Sequence, residues 1–359
     1  MDISFLYMKI QSQWDLELPF VIYRKSGEKE LHSFLQNNNE LYKIDSYDTT
    51  GFVFAPFDNR DDTILISAEN SEYYRSVISE TEFEVQHNKQ SISIDIDDNE
   101  KEAHLKLVSK GIEAITQNSF KKVVLSRKEE IHFSDMAPLE VFTKLVDSYP
   151  NAFVYCWYHP AFGIWLGATP ETLVTIKGDQ FFTMSLAGTQ PYVDSLEVKW
   201  GAKEIEEQAM VTDYVINKLS SKVDSLEKSG TYTHKAGTLL HLRTDIKGTL
   251  IPNNSNIEDI IKTLHPTPAV CGLPKEEAKS FIIKNELYDR KFYTGFLGEL
   301  NISKNGEKES NLFVNLRCME LFDDKAVIYV GGGITKDSVP EKEWEETVRK
   351  TETMKMVLS

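Results

Sequence analysis

Cysteine is scarce in these 359 residues: Cys156, Cys271 and Cys318 are few, odd in number and far apart. Neither a disulfide framework nor a CxxC metal site follows, and a reducing compartment is expected. Long apolar runs are missing as well. The opening stretch, MDISFLYMKIQSQWDLELPF, has acids within its apolar run and no small-residue cleavage site, so it does not read as a signal peptide. No segment approaches membrane-spanning length, and a cytoplasmic protein is expected. Positive charge is in deficit, with a formal net charge of −16. That excludes a general affinity for nucleic acid or anionic membrane, both of which reward basic patches. An anionic small molecule stays open, because a local cluster of Arg, Lys, backbone N–H groups and a metal overrides the global sign. There is no internal repeat and no low-complexity linker. The glycines of GGGITKDS lack GxGxxG spacing, which argues against a dinucleotide fold.

What is present has the balance of a soluble globular protein, 41% hydrophobic and 27% charged. A chain of this length can bury a deep core around a closed pocket. Residues 1–87 mix β-like runs (FVIYRK, GFVFAPF, DTILIS) with polar turns. The most polar stretch, 88–105, reads as a surface loop entering a helix. EAHLKLVSKGIEAI then has helical periodicity, and KKVVLSRKEEIHF reads as a strand. A helix at about 137–148 precedes strands at NAFVYCWYH, FGIWLGA, TLVTIKG and QFFTMSLAG. An amphipathic helix over about 197–222 follows, then helices near 256–264 and 275–285. Strands at FYTGFLGEL, NLFVNLRCMEL and KAVIYVGGG lead to a final helix at about 340–357. Short strands with helices grouped between them predict an α+β protein on large antiparallel sheets. The β-α alternation is too irregular for a doubly wound parallel sheet.

In PEKEWEETVRK, Glu343, Glu346 and Lys350 fall at i, i+3 and i+7, on one helical face. Pro340 suits the first turn, and the preceding GGGI is expected to leave backbone N–H groups free near the helix N-terminus. Taken alone, this segment is read first as a solvated charged helix. In KEIEEQAMVTDYVINKL, Ala209, Met210, Val211, Tyr214 and Val215 suggest a buried stripe with Glu207 at its border. Such a carboxylate is commonly a rim residue; paired with a second one, it could hold an oxygen-loving Mg²⁺ ion. Lys122 opens a β-branched run and Glu171 follows the turn GATP; each has an ordinary surface reading. His241 and His265 sit among apolar residues, where a satisfied structural histidine is commoner than a metal ligand.

Taken together and in order, KVVLSR, GATPETL, SLAGT, EEQAMV, HLRTDIKGTL, HPTPAVCGLPK, DRKFYTGFLG, NLFVNLRC and GGGITKDSVPEKEWEETVRK resemble the chorismate-utilising enzymes. These stretches span about 120–350. The resemblance implies one large domain over 1–359, with two packed antiparallel sheets and helices outside. Residues 1–100 would be a divergent part of that domain and 101–359 its catalytic core. It implies Mg²⁺ as cofactor, with Glu207 and Glu346 as ligands and Glu343 acting directly or through water. Gly188 would contact the ring carboxylate of chorismate. Arg317, Tyr293 and the amide of Gly333 would hold the enolpyruvyl carboxylate, with Lys350 in support and His241 in the cleft. Lys122 is implied as general base and Glu171 as general acid. A dianionic substrate rationalises these residue types, since one carboxylate needs a cation and the other a planar Arg donor. Lys122 and Glu171 need shifted pKa values, the lysine neutral and the glutamate protonated.

Within the family, ammonia-using members carry Gln at the place of Lys122, so Lys122 favours water as nucleophile. Ala187 stands where aminodeoxychorismate-forming members carry a lysine. Ala269, in HPTPAV, stands where salicylate-forming members carry Thr. The expected reaction is therefore isomerisation of chorismate to isochorismate. The alternatives are salicylate formation by further pyruvate elimination, and a non-catalytic chorismate-binding protein. No glutaminase subunit is expected, and the protein should be a monomer. Gln208 replaces the family's usual His, and Gln190 and Tyr192 replace common basic residues; the consequence of these departures is not evident from sequence.

Overall fold

Runs of large apolar residues in which both alternating faces are hydrophobic need cover on both sides, and here they receive it. The computed structural model describes residues 2–58, 60–78, 98–133, 136–236, 239–251 and 257–358. The first part of the polar stretch 88–105 thus lies outside the described residues, and its end is helical.

Helix α1 (Ile3–Asp15) precedes β1 (Phe20–Arg24), β2 (Glu30–Gln36), β3 (Tyr42–Lys43), β4 (Gly51–Ala55), β5 (Ile64–Ser67) and β6 (Ser71–Val77). Then come α2 (Asp98–Thr116), β7 (Lys122–His132), α3 (Pro138–Ser148), β8 (Phe153–His159), β9 (Gly163–Thr169), β10 (Thr172–Lys177) and β11 (Gln180–Pro191). Helix α4 (Ala202–Leu219) leads to β12 (Val223–Lys228), β13 (Tyr232–Ala236) and β14 (Leu239–Leu250). Next are α5 (Ile257–Leu264), β15 (Gly272–Leu273) and α6 (Lys275–Asn285). The chain closes with β16 (Phe296–Lys304), β17 (Glu307–Val314), β18 (Cys318–Leu321), β19 (Lys325–Ile334) and α7 (Pro340–Lys355).

One sheet has the order β15-β7-β19-β18-β9-β8-β1-β2-β6, the other β12-β14-β11-β10-β17-β16-β4-β5-β3, with β13 also on β14. Their strand pairs are antiparallel, as the sequence predicts. Strands from before residue 100 enter both sheets. Between the sheets lies an aromatic layer: Tyr23, Tyr155, Trp157 and Trp165 from the first meet Phe52, Phe54 and Phe313 from the second. The alternate residues Val154, Cys156 and Tyr158 of β8 face α1 and α3. On the far side, Val215 and Leu219 of α4 and Ile260 and Leu264 of α5 cover the second sheet. Helices α2 and α6 pack against Val123 and Leu125 of β7. The three cysteines are free and buried. Among the described residues no helix is long and apolar enough to cross a membrane.

Several sequence expectations need correction. NLFVNLRCMEL is two strands in different sheets, β17 and β18, because the chain turns at Arg317, whose φ is 49°. HLRTDIKGTL, read only as a motif, belongs to the long strand β14. Residues 3–15 form a helix in which Ile3, Leu6 and Ile10 make the buried stripe. On α4 the buried positions are Gln208, Val211, Thr212, Val215 and Leu219; Ala209 is exposed and Met210 and Tyr214 only partly covered. Two polar residues on the sheet-facing side had hidden that register.

Candidate active site

The β7–β19 part of the first sheet approaches the β11–β14 part of the second, and α4 and α7 each bring one face to the gap. A cleft results. Glu171, Gly188, Glu207, His241 and Ala269 line it, as do Tyr293, Arg317, Gly333, Glu346 and Lys350. Lys122 and Glu343 stand just behind this lining, at 0% and 3% exposure.

The glycines of β19 make that arrangement possible. A Cβ at Gly333 would sit 2.5 Å from Glu207 Oε1 and 3.1 Å from Lys122 Cε. A Cβ at Gly332 would lie 3.7 Å from both Glu343 Oε2 and Glu346 Oε1. These glycines are inside β19, paired with β7 through Gly331↔Ser126 and Gly333↔Val124. They do not form a turn at the N-terminus of α7, as the sequence suggested; Thr335–Val339 intervene. Their backbone is nevertheless accessible, because β18 pairs only as far as Tyr329. Gly331 O accepts from Lys350 Nζ at 2.9 Å and so faces away from β7. Antiparallel alternation turns the N–H and C=O of Gly333 the same way, toward the cleft.

Three carboxylates converge around this strand, and each has a lysine. Lys122 Nζ lies 2.8 Å from Glu207 Oε1, Lys203 Nζ 2.7 Å from Glu343 Oε1, and Lys350 Nζ 2.7 Å from Glu346 Oε1. The last pair is i,i+4 on α7, the face expected from its spacing. Burial pushes the Glu343 carboxyl up, and Glu346 adds to this, while Lys203 pulls it back. At Glu346 burial also acts upward, but Lys350 outweighs it and the net direction is down. The oxygens of the three acids do not all lie within 4.8 Å of one another. They form a set of hard oxygen donors around a bare glycine backbone, the ligand chemistry that Mg²⁺ prefers.

Glu171 enters from the crossover between β9 of the first sheet and β10 of the second, after Pro170. Its backbone is fixed by Val314 N donating to Glu171 O at 2.9 Å. Burial pushes its carboxyl up to about 8, against the pull of Lys122. At neutral pH it is therefore mostly protonated.

Gly188 interrupts β11 at a bulge between Ala187 and Thr189, with φ +71°. A Cβ there would meet Glu204 of α4 at 3.0 Å, so glycine permits both the left-handed bulge and the close helix. Gly188 O lies 3.0 Å from His241 Nδ1, which makes Nδ1 the protonated nitrogen and leaves Nε2 an acceptor. That Nε2 is buried without a protein partner. Burial, with Arg317 and Lys350 nearby, pushes the imidazole down to about 3, so it is neutral. His265, by contrast, is satisfied by Pro56 O at 3.1 Å and lies outside the cleft. Tyr293 is buried, its hydroxyl 3.0 Å from the place of a Cβ on Gly331. Arg317 donates to Lys350 O at 3.3 Å.

Gln208 turns away from the acids. Its Nε2 donates to Ser185 O and Ser185 Oγ, both at 3.1 Å, and so fastens α4 to β11. Gln190 is only partly buried and lies beyond the cleft lining, and Tyr192 carries Lys235 Nζ 3.5 Å from its ring centroid. Sequence reasoning missed Lys203 and Thr189 in the lining. The signal for Lys203 was its position one helical turn before Glu207.

Comparison with known proteins gives these features a context. The isochorismate synthase DhbC of Bacillus subtilis is 31% identical over 69% of this chain and 65% of that protein. Anthranilate synthase component 1 of Lactococcus lactis is 31% identical over 68% of this chain and 55% of that protein. The match thus spans less than two-thirds of either curated relative. The structure of DhbC from Bacillus anthracis superposes with a TM-score of 0.78 at 25% identity, covering 98% of this chain and 99% of that one. A family described as chorismate binding enzyme matches residues 46–359. With that match running through both sheets and the whole cleft, the chain belongs to the chorismate-binding enzyme family.

Proposed function

We propose that this protein isomerises chorismate to isochorismate, adding water at C2 with loss of the C4 hydroxyl. The observation that carries the reading is a pair of buried proton carriers of opposite kind. Lys122 comes from β7 of the first sheet at 0% exposure, and Glu171 comes from the crossover between the sheets with its carboxyl pushed up to about 8. Relatives named isochorismate synthases support the same reading.

In this proposal Glu207 and Glu346, with Glu343 directly or through water, hold Mg²⁺, which supplies positive charge for the ring carboxylate. The Gly188 backbone approaches that carboxylate from the β11 bulge. Arg317, Tyr293 and the Gly333 amide hold the enolpyruvyl carboxylate, and Lys350 keeps Arg317 and Glu346 in register. With both ends fixed, attack and departure are aligned on one ring. Lys122, acting as the free amine and not as the cation that pairs with Glu207 at 2.8 Å, takes a proton from the attacking water, and Glu171 gives its proton to the C4 hydroxyl, which leaves as water. His241 Nε2 offers an acceptor to a ring hydroxyl. Ala269 presents only a methyl group to the cleft, so nothing there assists pyruvate elimination.

We read the whole chain as one catalytic domain, because residues before 100 supply strands to both sheets. It works in this proposal as a cytoplasmic monomer without a glutaminase partner.

The test is incubation with chorismate and Mg²⁺, followed by product separation. Isochorismate alone is expected. Salicylate with pyruvate, or no turnover, would overturn the reading, and turnover indifferent to EDTA would remove the metal from it. The pH profile is a second prediction. Glu171 is competent as an acid only while protonated, so kcat should fall as pH rises through about 8. Glu171→Gln should lose turnover across the range and with it that alkaline limb, as steady-state rates at several pH values would record.

A further inference from the structure

Of the three lysines that pair with the cleft carboxylates, two are held more firmly. Lys122 is fully buried at 0% exposure, and Lys350 also donates to Gly331 O at 2.9 Å. Lys203 differs: its side chain is 29% exposed, and among the described residues its ion pair is with Glu343. It also stands between two spaces, lining both the cleft and a separate groove beside Thr116, Asn118, Glu206 and Thr335. In that groove a displaced ammonium would meet the carboxylates of Glu206 and Asp337 as well as the cations Lys121 and Lys336. Its current partner, Glu343, is 3% exposed, and burial makes its carboxylate costly without a cation beside it.

We propose that Lys203 is a positioning residue that acts as an exchangeable counter-ion for Glu343. In the metal-free protein it holds the Glu343 carboxylate in place through their 2.7 Å pair; when a divalent cation binds, Lys203 yields Glu343 and swings into the outer groove. The inference rests on the metal reading above, and it adds a consequence which that reading does not contain. A lysine paired with a carboxylate that would help hold the metal competes with it for that carboxylate, so Lys203 would set the affinity low and make it adjustable. Removing that positive charge should tighten a divalent ion by about tenfold or more.

Calorimetric titration of the substrate-free, full-length protein with Mg²⁺ separates the possibilities. Lys203→Met should bind Mg²⁺ about tenfold more tightly than the parent, and Lys203→Arg should stay close to the parent. The double variant Lys203→Met with Glu343→Gln should lose the gain, and because it buries no unpaired charge it guards against misfolding of the single variant. Unchanged or weaker binding in a folded Lys203→Met protein would overturn the proposal, as would a gain that persists in the double variant. Failure of the metal reading looks different: the parent would then bind no Mg²⁺, or would bind it equally well after Glu207→Gln and Glu346→Gln.

Discussion

Lys122→Ala is expected to lower kcat for isochorismate formation by about 10²–10⁴-fold, the usual worth of a positioned proton carrier, while chorismate still binds. The two effects separate because the proposed substrate anchors come from other elements: Arg317 from the β17–β18 turn, Tyr293 from the segment before β16, and Gly188 from the β11 bulge. Lys122 lies behind the lining, so its loss leaves the cleft wall intact. The variant does open a cavity and leaves Glu207 without its partner at 2.8 Å. Lys122→Met fills the volume without the amine and should be equally inactive. Steady-state kinetics with equilibrium dialysis of chorismate, on protein verified as folded by circular dichroism, would measure this. Near-normal turnover in either variant would remove Lys122 from its role as base.

How far the chain could be read in advance depended on what each segment packs against. KVVLSRKEEIHF was legible as a strand because its β-branched residues face cover on both sides, between α2, α6 and the sheet core. Strand β8 was legible for the same reason. The stripe on α4 was not, because Gln208 and Thr212 occupy inward positions and bond to β11, through Ser185 at 3.1 and 2.7 Å respectively. Hydrophobic periodicity cannot register an inward residue that is polar. The break between β17 and β18 was hidden similarly: Leu316 and Arg317 continue an apolar-polar alternation while the backbone turns through a positive φ. In the site, Glu343, Glu346 and Lys350 were legible because one helix fixes their spacing. Lys122, Glu171 and His241 are assembled from two sheets and the crossover between them, and only resemblance to known enzymes could place them together. The role of GGG was misassigned because glycine marks close approach without saying whether a turn or a strand needs it; here a strand needs it, to let Glu207 and Lys122 come near.

Arg290→Ala should be the most damaging single change to stability, costing about 3–5 kcal/mol in urea unfolding, as expected when one partner of a buried ion pair is removed. Arg290 is 3% exposed and Glu286 8%. The guanidinium donates to Glu286 Oε2 at 2.7 Å and Oε1 at 2.6 Å, and also to Val124 O at 2.7 Å and Val270 O at 3.1 Å. Burial acts against its charge, but Glu286 outweighs that and holds it protonated. Glu286 in turn accepts from Ser126 N at 2.8 Å. The pair therefore grips β7 at Val124 and Ser126, two and four residues beyond Lys122, and ties it to α6 and to the loop carrying Ala269. An exposed pair such as Lys106–Glu102, at 73% and 65% exposure, should by comparison contribute little. Replacing both partners, as Glu286→Gln with Arg290→Met, leaves no unpaired charge and should recover part of the loss. If Arg290→Ala unfolded at the parent's urea midpoint, the pair would not be what holds β7 in place. In a folded fraction of the variant, kcat should fall more than chorismate affinity, because the strand released is the one that carries the base.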